Sequence, residues 1–277
     1  MRLPFDRARH VALFELLDDL ARLGTRAVLV GGLVPPLLLA HLDPDGFVDA
    51  PGARQTADCD LVLHVPLHGG TAIYDEVQAG LRARWSADRR VNQFRWNHVS
   101  GLRLDLIPVP VGIERGDPAA IALASRWSPD IDVEAFYRAQ EFAIATALDV
   151  EVVDPAGLYC GLRIAGLVAM LAMKLQAWND SYRQRRRDAH DVAWLLRYLG
   201  TTIAVAAMRD ARAQRPDLVE NVGAQLRRDF ADAWGEGVRH YVAEAFPDRY
   251  RRPDDEAEGD RNAAAMAIRQ FLDALEA

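Results

Sequence analysis

Lysine is almost absent from this chain, and cysteine is scarce. Of its 33 basic residues, 32 are arginines and only Lys174 is a lysine. The two cysteines, Cys59 and Cys160, are too few for a disulfide framework, and we expect no structural zinc site. No apolar run reaches the length of a membrane span, and the N-terminal residues lack the layout of a signal peptide. The sequence therefore predicts a soluble, cytoplasmic protein with no membrane partner.

A basic excess is absent as well, because the formal net charge is -7 at pH 7. This balance argues against a general nucleic-acid coat protein but is compatible with a local basic patch. The chain has 277 residues, of which 50% are hydrophobic, so it is long enough for one large domain or two.

Two aspartates stand two residues apart at the beginning of an apolar run, Leu61 to Val65. If that run is a strand, Asp58 and Asp60 project from one face, while Cys59 and the alternate leucines face the core. Like charges held this close repel each other, so a fold usually keeps such a pair where a cation neutralises it. Oxygen ligands suit Mg²⁺ or Mn²⁺. A solvated strand start is the alternative interpretation.

Two neighbouring segments extend this pattern. Upstream, the apolar run Val28 to Val30 ends in Gly31 and Gly32, and glycines at a strand-to-helix turn let backbone N–H groups approach a phosphate closely. An ordinary tight turn is the alternative. Downstream, Asp105 lies within the strand-like segment Leu102 to Pro108 and has no obvious basic partner in sequence. Such an acid is costly unless it faces a cation or solvent, which indicates a metal-facing position.

The order of strand, Gly-Gly, helix, D-x-D on a second strand and a further Asp on a later strand resembles the DNA polymerase beta-type nucleotidyltransferase superfamily. The form R-x-T-x-D-x-D, which begins at Arg54, resembles its AbiEii-like toxin-type branch. That resemblance implies an α+β fold with a mixed, largely antiparallel sheet. It implies catalytic and metal-binding roles for Asp58, Asp60 and Asp105, and nucleotide contacts from Gly31, Gly32, Arg54 and Thr56. Surface roles are the alternative for Arg54 and Thr56.

A second group of residues resembles the same branch. Lys174 and Ala177 match a helical K-x-x-A element, and Arg187 to Val192 stands where the family has K-D-x-x-D-L, with Arg for Lys and Val for Leu. Asp188 and Asp191 are three apart and would share a helix face. We expect the compact ammonium of the single lysine to contact a nucleotide triphosphate, with both aspartates orienting it. A snorkelling surface lysine and plain salt bridges are the alternatives.

The pattern divides the chain into a nucleotidyltransferase core, 1–154, and a C-terminal helical bundle, 155–277. The motifs themselves lie in islands between about residues 26 and 196. The predicted elements that matter below are helices over Asp6 to Leu23, Leu33 to His41, Gly70 to Ala83 and Ala156 to Asn179, a loop over Leu42 to Gln55, a hairpin at Ser100-Gly101, and a strand over Phe142 to Val153.

The resemblance implies a metal-dependent enzyme that transfers a nucleoside monophosphate from an NTP to an acceptor hydroxyl. Mg²⁺ or Mn²⁺ would be its cofactor, RNA or tRNA its acceptor, and an antitoxin its partner if the chain is a toxin. Two alternatives stay open. One is a small-molecule nucleotidyltransferase of the antibiotic-modifying kind, and the other is a nucleotide- or antitoxin-binding module without catalysis. The presence of all three acids and of the Gly-Gly pair argues against a loss of catalysis.

Overall fold

A computed structural model of the chain describes residues 6–50, 56, 58–66, 70–88, 94–111, 133–153, 157, 159–180, 186–245 and 255–277. Within these residues the chain forms one sheet and a series of helices. In chain order the elements are α1 (Arg7–Arg22), β1 (Ala27–Val30), a 3₁₀ turn (Gly31–Leu33), α2 (Val34–Leu42), α3 (Pro44–Asp49), β2 (Asp58–Pro66), α4 (Gly70–Leu81), β3 (Trp85–Ala87), β4 (Arg95–His98), β5 (Arg103–Val111), α5 (Val133–Ala145), β6 (Leu148–Val153), β7 (Tyr159–Ile164), α6 (Leu167–Asp180), α7 (Arg186–Tyr198), α8 (Thr201–Gln214), α9 (Pro216–Asp229), α10 (Glu236–Ala245) and α11 (Asp255–Glu276).

The described strands form one mixed sheet in the order β3-β4-β5-β2-β1-β7-β6. Strand β2 runs antiparallel to β1 and parallel to β5, and β1 runs parallel to β7. The remaining pairs, β3–β4, β4–β5 and β6–β7, are antiparallel. The sheet is therefore mixed and largely antiparallel, which confirms that part of the predicted fold class. In β2 the side chains of Cys59, Leu61 and Leu63 are fully buried, as their alternation with the aspartates predicts.

Local signals account for several of these elements. Helix α1 begins after Asp6, whose side chain accepts a hydrogen bond of 2.9 Å from the N–H of Arg9, as an N-cap does. Gly24 follows its end with a φ of 69°, a conformation that favours glycine. The turn between β4 and β5 has Gly101 at a φ of 82°, so the predicted hairpin is present.

The chain divides into two compact units that differ from the predicted division at residue 154. The first comprises Met1–Val34 and Gln55–Gly166, and it holds the sheet. The second comprises Pro35–Arg54 and Leu167–Ala277, and its described residues form helices without a strand. The sheet extends past residue 154 because β7 pairs with both β6 and β1. Residues 35–54 belong to the helical unit, where Asp43 Oδ2 accepts a hydrogen bond of 2.9 Å from the N–H of Gly200.

Three predicted elements are wrong in part. The segment Phe142 to Val153 is not one strand, because α5 continues to Ala145 and buries side chains at helical spacing before β6 begins. The predicted helix from Ala156 to Asn179 begins only at Leu167, since β7 occupies the preceding residues. The predicted loop from Leu42 to Gln55 contains α3, which Asp43 caps by accepting a hydrogen bond from the N–H of Gly46.

In the helical unit, aromatic and ionic contacts join helices that are distant in sequence. Tyr241 of α10 is fully buried, and its hydroxyl accepts a hydrogen bond of 3.1 Å from Arg197 of α7. The same guanidinium donates to Asp260 of α11 at 3.2 Å. Trp178 of α6 packs its ring against Phe230, with centroids 5.4 Å apart. Among the described helices, none combines the length and the apolar character that crossing a membrane requires.

Candidate active site

Three adjacent strands bring together acids that are far apart in sequence. In the sheet register, Asp60 of β2 lies opposite Val30 of β1 on one side and opposite Asp105 of β5 on the other. Register partners on neighbouring strands point to the same face, and so do Asp58 and Asp60, which are two residues apart. The three carboxylates, which we name the carboxylate site, therefore share one face of the sheet.

The turn after β1 lies directly against this site. Gly31 has a φ of 79°, and a Cβ added to it would lie 1.9 Å from Oδ2 of Asp60 and 2.8 Å from its Cγ. Any side chain at position 31 would therefore collide with the carboxylate and would also be strained by the left-handed backbone. Gly32 follows as a buried residue of the 3₁₀ turn that leads into α2. The predicted Gly-Gly pair and the predicted acids are thus neighbours in space.

Two arginines that sequence reasoning missed also contact the site. Arg95 of β4 donates to both oxygens of Asp105, from Nε to Oδ1 at 2.8 Å and from Nη2 to Oδ2 at 2.5 Å. Arg103 lies with its Nε 2.5 Å from Oδ1 of Asp58. Asp105, which has no obvious basic partner in sequence, therefore has one in the fold. The hairpin itself was the available signal, because Arg95 and Asp105 are equidistant in sequence from Ser100 and so become cross-strand partners.

The segment before β2 is described only in part. Thr56 Oγ1 accepts a hydrogen bond of 3.1 Å from the N–H of Asp58, so its hydroxyl orients the chain at the start of the acid pair. Arg54, the other residue predicted in this segment, lies outside the described residues.

The two faces of β2 differ in charge. On the opposite face of β2, burial raises the pKa of the Cys59 thiol well above its ordinary value, and the charges of Asp60, Asp105 and Asp58 raise it further. The thiol is therefore held protonated and is a core side chain rather than a nucleophile. On the charged side, the hydrogen bonds to Asp105 raise the pKa of Arg95, which keeps its guanidinium positive.

The donor atoms of the site suit a hard divalent cation, because carboxylate oxygens are the ligands that Mg²⁺ and Mn²⁺ prefer. In the part of the chain that the structure describes, however, no group of three or more His, Cys, Asp or Glu side chains is arranged to hold a metal ion. The guanidinium groups of Arg95 and Arg103 lie on Asp105 and Asp58. The residues thus fit the cation in chemistry and register, with two ion pairs that must open to admit it.

The second predicted group of residues forms a buried ion cluster in the helical unit. Lys174 of α6 places its Nζ 2.8 Å from Asp188 Oδ1 and 2.8 Å from Asp191 Oδ2, both on α7. Only 7% of Lys174 is exposed, so it is not a snorkelling surface lysine. His190 lies beside the cluster, with Nδ1 3.4 Å from Asp191 Oδ1.

Charge pairing keeps Lys174 protonated in spite of its surroundings. Burial by itself lowers the pKa of the ammonium, but the carboxylates of Asp191 and Asp188 outweigh burial and leave the pKa above its ordinary value. The expectation that the two aspartates orient the lysine agrees with these contacts. Its contact with a triphosphate stays a prediction.

The family model described as nucleotidyl transferase AbiEii toxin, type IV toxin–antitoxin system, matches residues 15–274. The chain belongs to the AbiEii family. The match includes the helices after Gly200, which carry no motif of their own, and it places this AbiEii chain in a family of nucleotidyl transferase toxins. Searches of curated proteins and of solved structures each found no match.

The close approach of Gly31 to Asp60 can be tested in this AbiEii chain by substitution. We expect Gly31→Ala to destabilise the protein by more than the roughly 1–2 kcal/mol that a left-handed backbone costs a residue with a Cβ. Gly24→Ala is the matched control, because Gly24 has a φ of 69° but no atom within 4 Å of the added Cβ. Urea unfolding of both variants measures the difference.

A double mutant then identifies why Gly31→Ala lowers the free energy of unfolding more than Gly24→Ala does. Asp60→Ala removes the two carboxyl atoms nearest to the added Cβ, so the extra cost of Gly31→Ala should largely vanish in that background. Equal losses of unfolding free energy in Gly31→Ala and Gly24→Ala would contradict the close approach of position 31 to Asp60.

The buried cluster predicts a large stability effect for Lys174→Met. This change keeps most of the unbranched stem but leaves two buried carboxylates without their ammonium, and we expect the free energy of unfolding, measured in urea, to fall by about 3–5 kcal/mol. Arg187→Met on α7, the helix that carries Asp188 and Asp191, is the control, since the Arg187 side chain is 68% exposed and its Nε lies 3.7 Å from Oε1 of Glu244. Removing that exposed ion pair should lower the free energy of unfolding by about 1 kcal/mol or less. A Lys174→Met loss as small as the control's would show that the cluster contributes little.

Proposed function

We propose that this AbiEii chain is a metal-dependent nucleotidyltransferase, which moves a nucleoside monophosphate from an NTP to an acceptor hydroxyl and releases pyrophosphate. The observation that carries the proposal is the register of β1, β2 and β5, which sets Asp58, Asp60 and Asp105 on one sheet face beside the Gly31 turn. Family membership supports the class of reaction.

Each residue of the site has a role in this proposal. Asp58, Asp60 and Asp105 hold Mg²⁺ or Mn²⁺ through their carboxylate oxygens. When bound, such cations neutralise charge on the attacking and leaving oxygens of an in-line displacement. Asp105 also receives the proton of the acceptor hydroxyl; its side chain is 9% exposed, against 28% for Asp58, so it is the better shielded from water. Backbone N–H groups at Gly31 and Gly32 bind the triphosphate.

The toxin character of the family supports a proposal for the acceptor and for the partner. RNA, with tRNA as its first candidate, is the proposed acceptor, because a toxin acts on a molecule that growth requires. A cognate antitoxin is the proposed partner, as the type IV toxin–antitoxin description of the family supports. A small hydroxylated drug is the competing acceptor, and the same assay distinguishes the two.

Substitution of one central acid tests the reaction. We expect wild-type protein with Mg²⁺ to transfer label from an α-labelled NTP to total RNA or tRNA and not to hydroxylated antibiotics. Asp60→Asn should abolish transfer because it removes the charge at the centre of the site. Asp149→Asn is the matched control, since this acid of β6 has an 86% exposed side chain, and it should leave transfer unchanged. Thermal melting of both variants confirms that they fold.

Several outcomes would change the proposal. Full transfer activity in Asp60→Asn would show that the carboxylate site does not carry out catalysis. Label on an antibiotic instead of RNA would identify a small-molecule nucleotidyltransferase. Nucleotide binding by wild-type protein without transfer to any acceptor would identify a binding module.

Lys174 belongs to the proposal as a nucleotide contact, and Lys174→Arg tests it. Arginine keeps the charge but is longer, planar and forked, so it does not reproduce a compact ammonium between two carboxylates. We expect NTP affinity, measured by calorimetry, to fall by about one to two powers of ten, the worth of a contact to a charged group. If Lys174→Arg is less stable but binds the NTP with unchanged affinity, Lys174 stabilises its ion cluster and does not contact the nucleotide.

A further inference from the structure

The ion pair between Arg95 and Asp105 occupies a position where the proposed reaction needs a cation. Both oxygens of Asp105 accept hydrogen bonds from the same guanidinium, in the forked geometry that gives the strongest arginine–carboxylate pairs. The pair is well shielded, with exposed fractions of 21% for the Arg95 side chain and 9% for that of Asp105. Water therefore screens it little.

The second arginine of the site makes a weaker contact of the same kind. Arg103 reaches Asp58 through Nε alone, and its side chain is 49% exposed. Arg95 and Arg103 project from the same sheet face, since their register partners are Asp105 and Asp58. Arg95 donates two hydrogen bonds to Asp105, whereas the contact of Arg103 with Asp58 Oδ1 is an ion pair without hydrogen-bond geometry. The two arginines also differ in burial, so Arg103 is the control for Arg95.

Charge explains why these arginines are present. Asp58, Asp60 and Asp105 lie on adjacent strand positions, and three carboxylates this close repel one another without positive charge between them. The guanidinium groups of Arg95 and Arg103 supply that charge. A divalent cation at Asp105 would meet the positive charge of Arg95 at short range, so the guanidinium and the cation compete for the same carboxylate.

We propose that Arg95 is a positioning residue that holds Asp105 until a divalent cation displaces it, and that the displaced guanidinium then pairs with the anionic triphosphate. This inference rests on the function proposed above. Arg95 thereby couples the binding of cation and nucleotide. The cation releases the guanidinium for the triphosphate, and the triphosphate in turn keeps the guanidinium away from Asp105. By linkage, the coupling is reciprocal: nucleotide strengthens cation binding as much as cation strengthens nucleotide binding.

The test measures Mn²⁺ binding to the full chain by electron paramagnetic resonance, with and without a non-hydrolysable NTP analogue. Without nucleotide, Arg95→Gln should bind Mn²⁺ about tenfold more tightly than wild type, since a competing charge has been removed. Arg103→Gln should change Mn²⁺ affinity by less than about fivefold, as expected for an exposed pair. With the analogue, Mn²⁺ affinity should rise in wild type and rise much less in Arg95→Gln.

A purely structural ion pair gives a different result. If Arg95 only stabilises the hairpin, Arg95→Gln lowers the melting temperature and leaves Mn²⁺ affinity unchanged or weaker, and the inference is overturned. Should Arg95→Gln fail to fold, Arg95→Lys decides the matter, because lysine keeps a charge but loses the fork. Tighter Mn²⁺ binding by Arg95→Lys supports the inference, and equal or weaker binding overturns it.

Two further measurements separate this inference from the proposed function. Asp60→Asn should abolish Mn²⁺ binding in the wild-type and Arg95→Gln backgrounds alike. Wild-type protein that neither binds Mn²⁺ nor transfers nucleotide overturns both proposals. Wild-type protein that does both, while Arg95→Gln binds Mn²⁺ no more tightly, overturns the role of Arg95 alone.

Discussion

The pairing register of β1, β2 and β5 is the constraint on which the carboxylate site depends. Side chains alternate along β2, so the same register that buries Cys59 and Leu61 turns Asp58 and Asp60 to the other face. A slip of one residue would exchange the two sets and place charge in the core. The apolar face of the strand thus determines where the acids lie. Gly31 adds a second restriction, because only glycine lets the turn after β1 pass so close to Asp60.

In both compact units, basic side chains neutralise the charge of clustered carboxylates, but the two arrangements differ. In the helical unit, one buried ammonium lies between Asp188 and Asp191, and this tight cluster holds α6 against α7. On the sheet, the arginines are longer and forked, and one of them is half exposed. A buried ion cluster of the first kind is costly to open. The arginine pairs on the sheet are the contacts that a divalent cation would replace in the inference proposed above.

Local patterns predicted where several residues of the carboxylate site lie in the fold, while their roles stay predictions. The D-x-D spacing on an apolar strand, the Gly-Gly turn, the acid within the later strand and the hairpin at Ser100-Gly101 all depend on residues close in sequence. The errors arose where the choice depended on distant contacts. The residues of β7 resemble the start of a helix until β6 and β1 supply their strand partners. Arg95 belongs to none of the motifs quoted from the sequence, and the hairpin register sets it opposite Asp105.

The sequence by itself determined the chemical types and the faces: acids with a period of two, glycines at a turn, and a lysine with two aspartates at helical spacing. Those properties are local, because backbone geometry alone sets which neighbours share a face. The tertiary structure alone decided which strands pair, that Gly31 lies against Asp60, and that arginines occupy two of the three carboxylates. Ion pairs and close approaches join residues distant in the chain, so only the folded arrangement of the strands determines them.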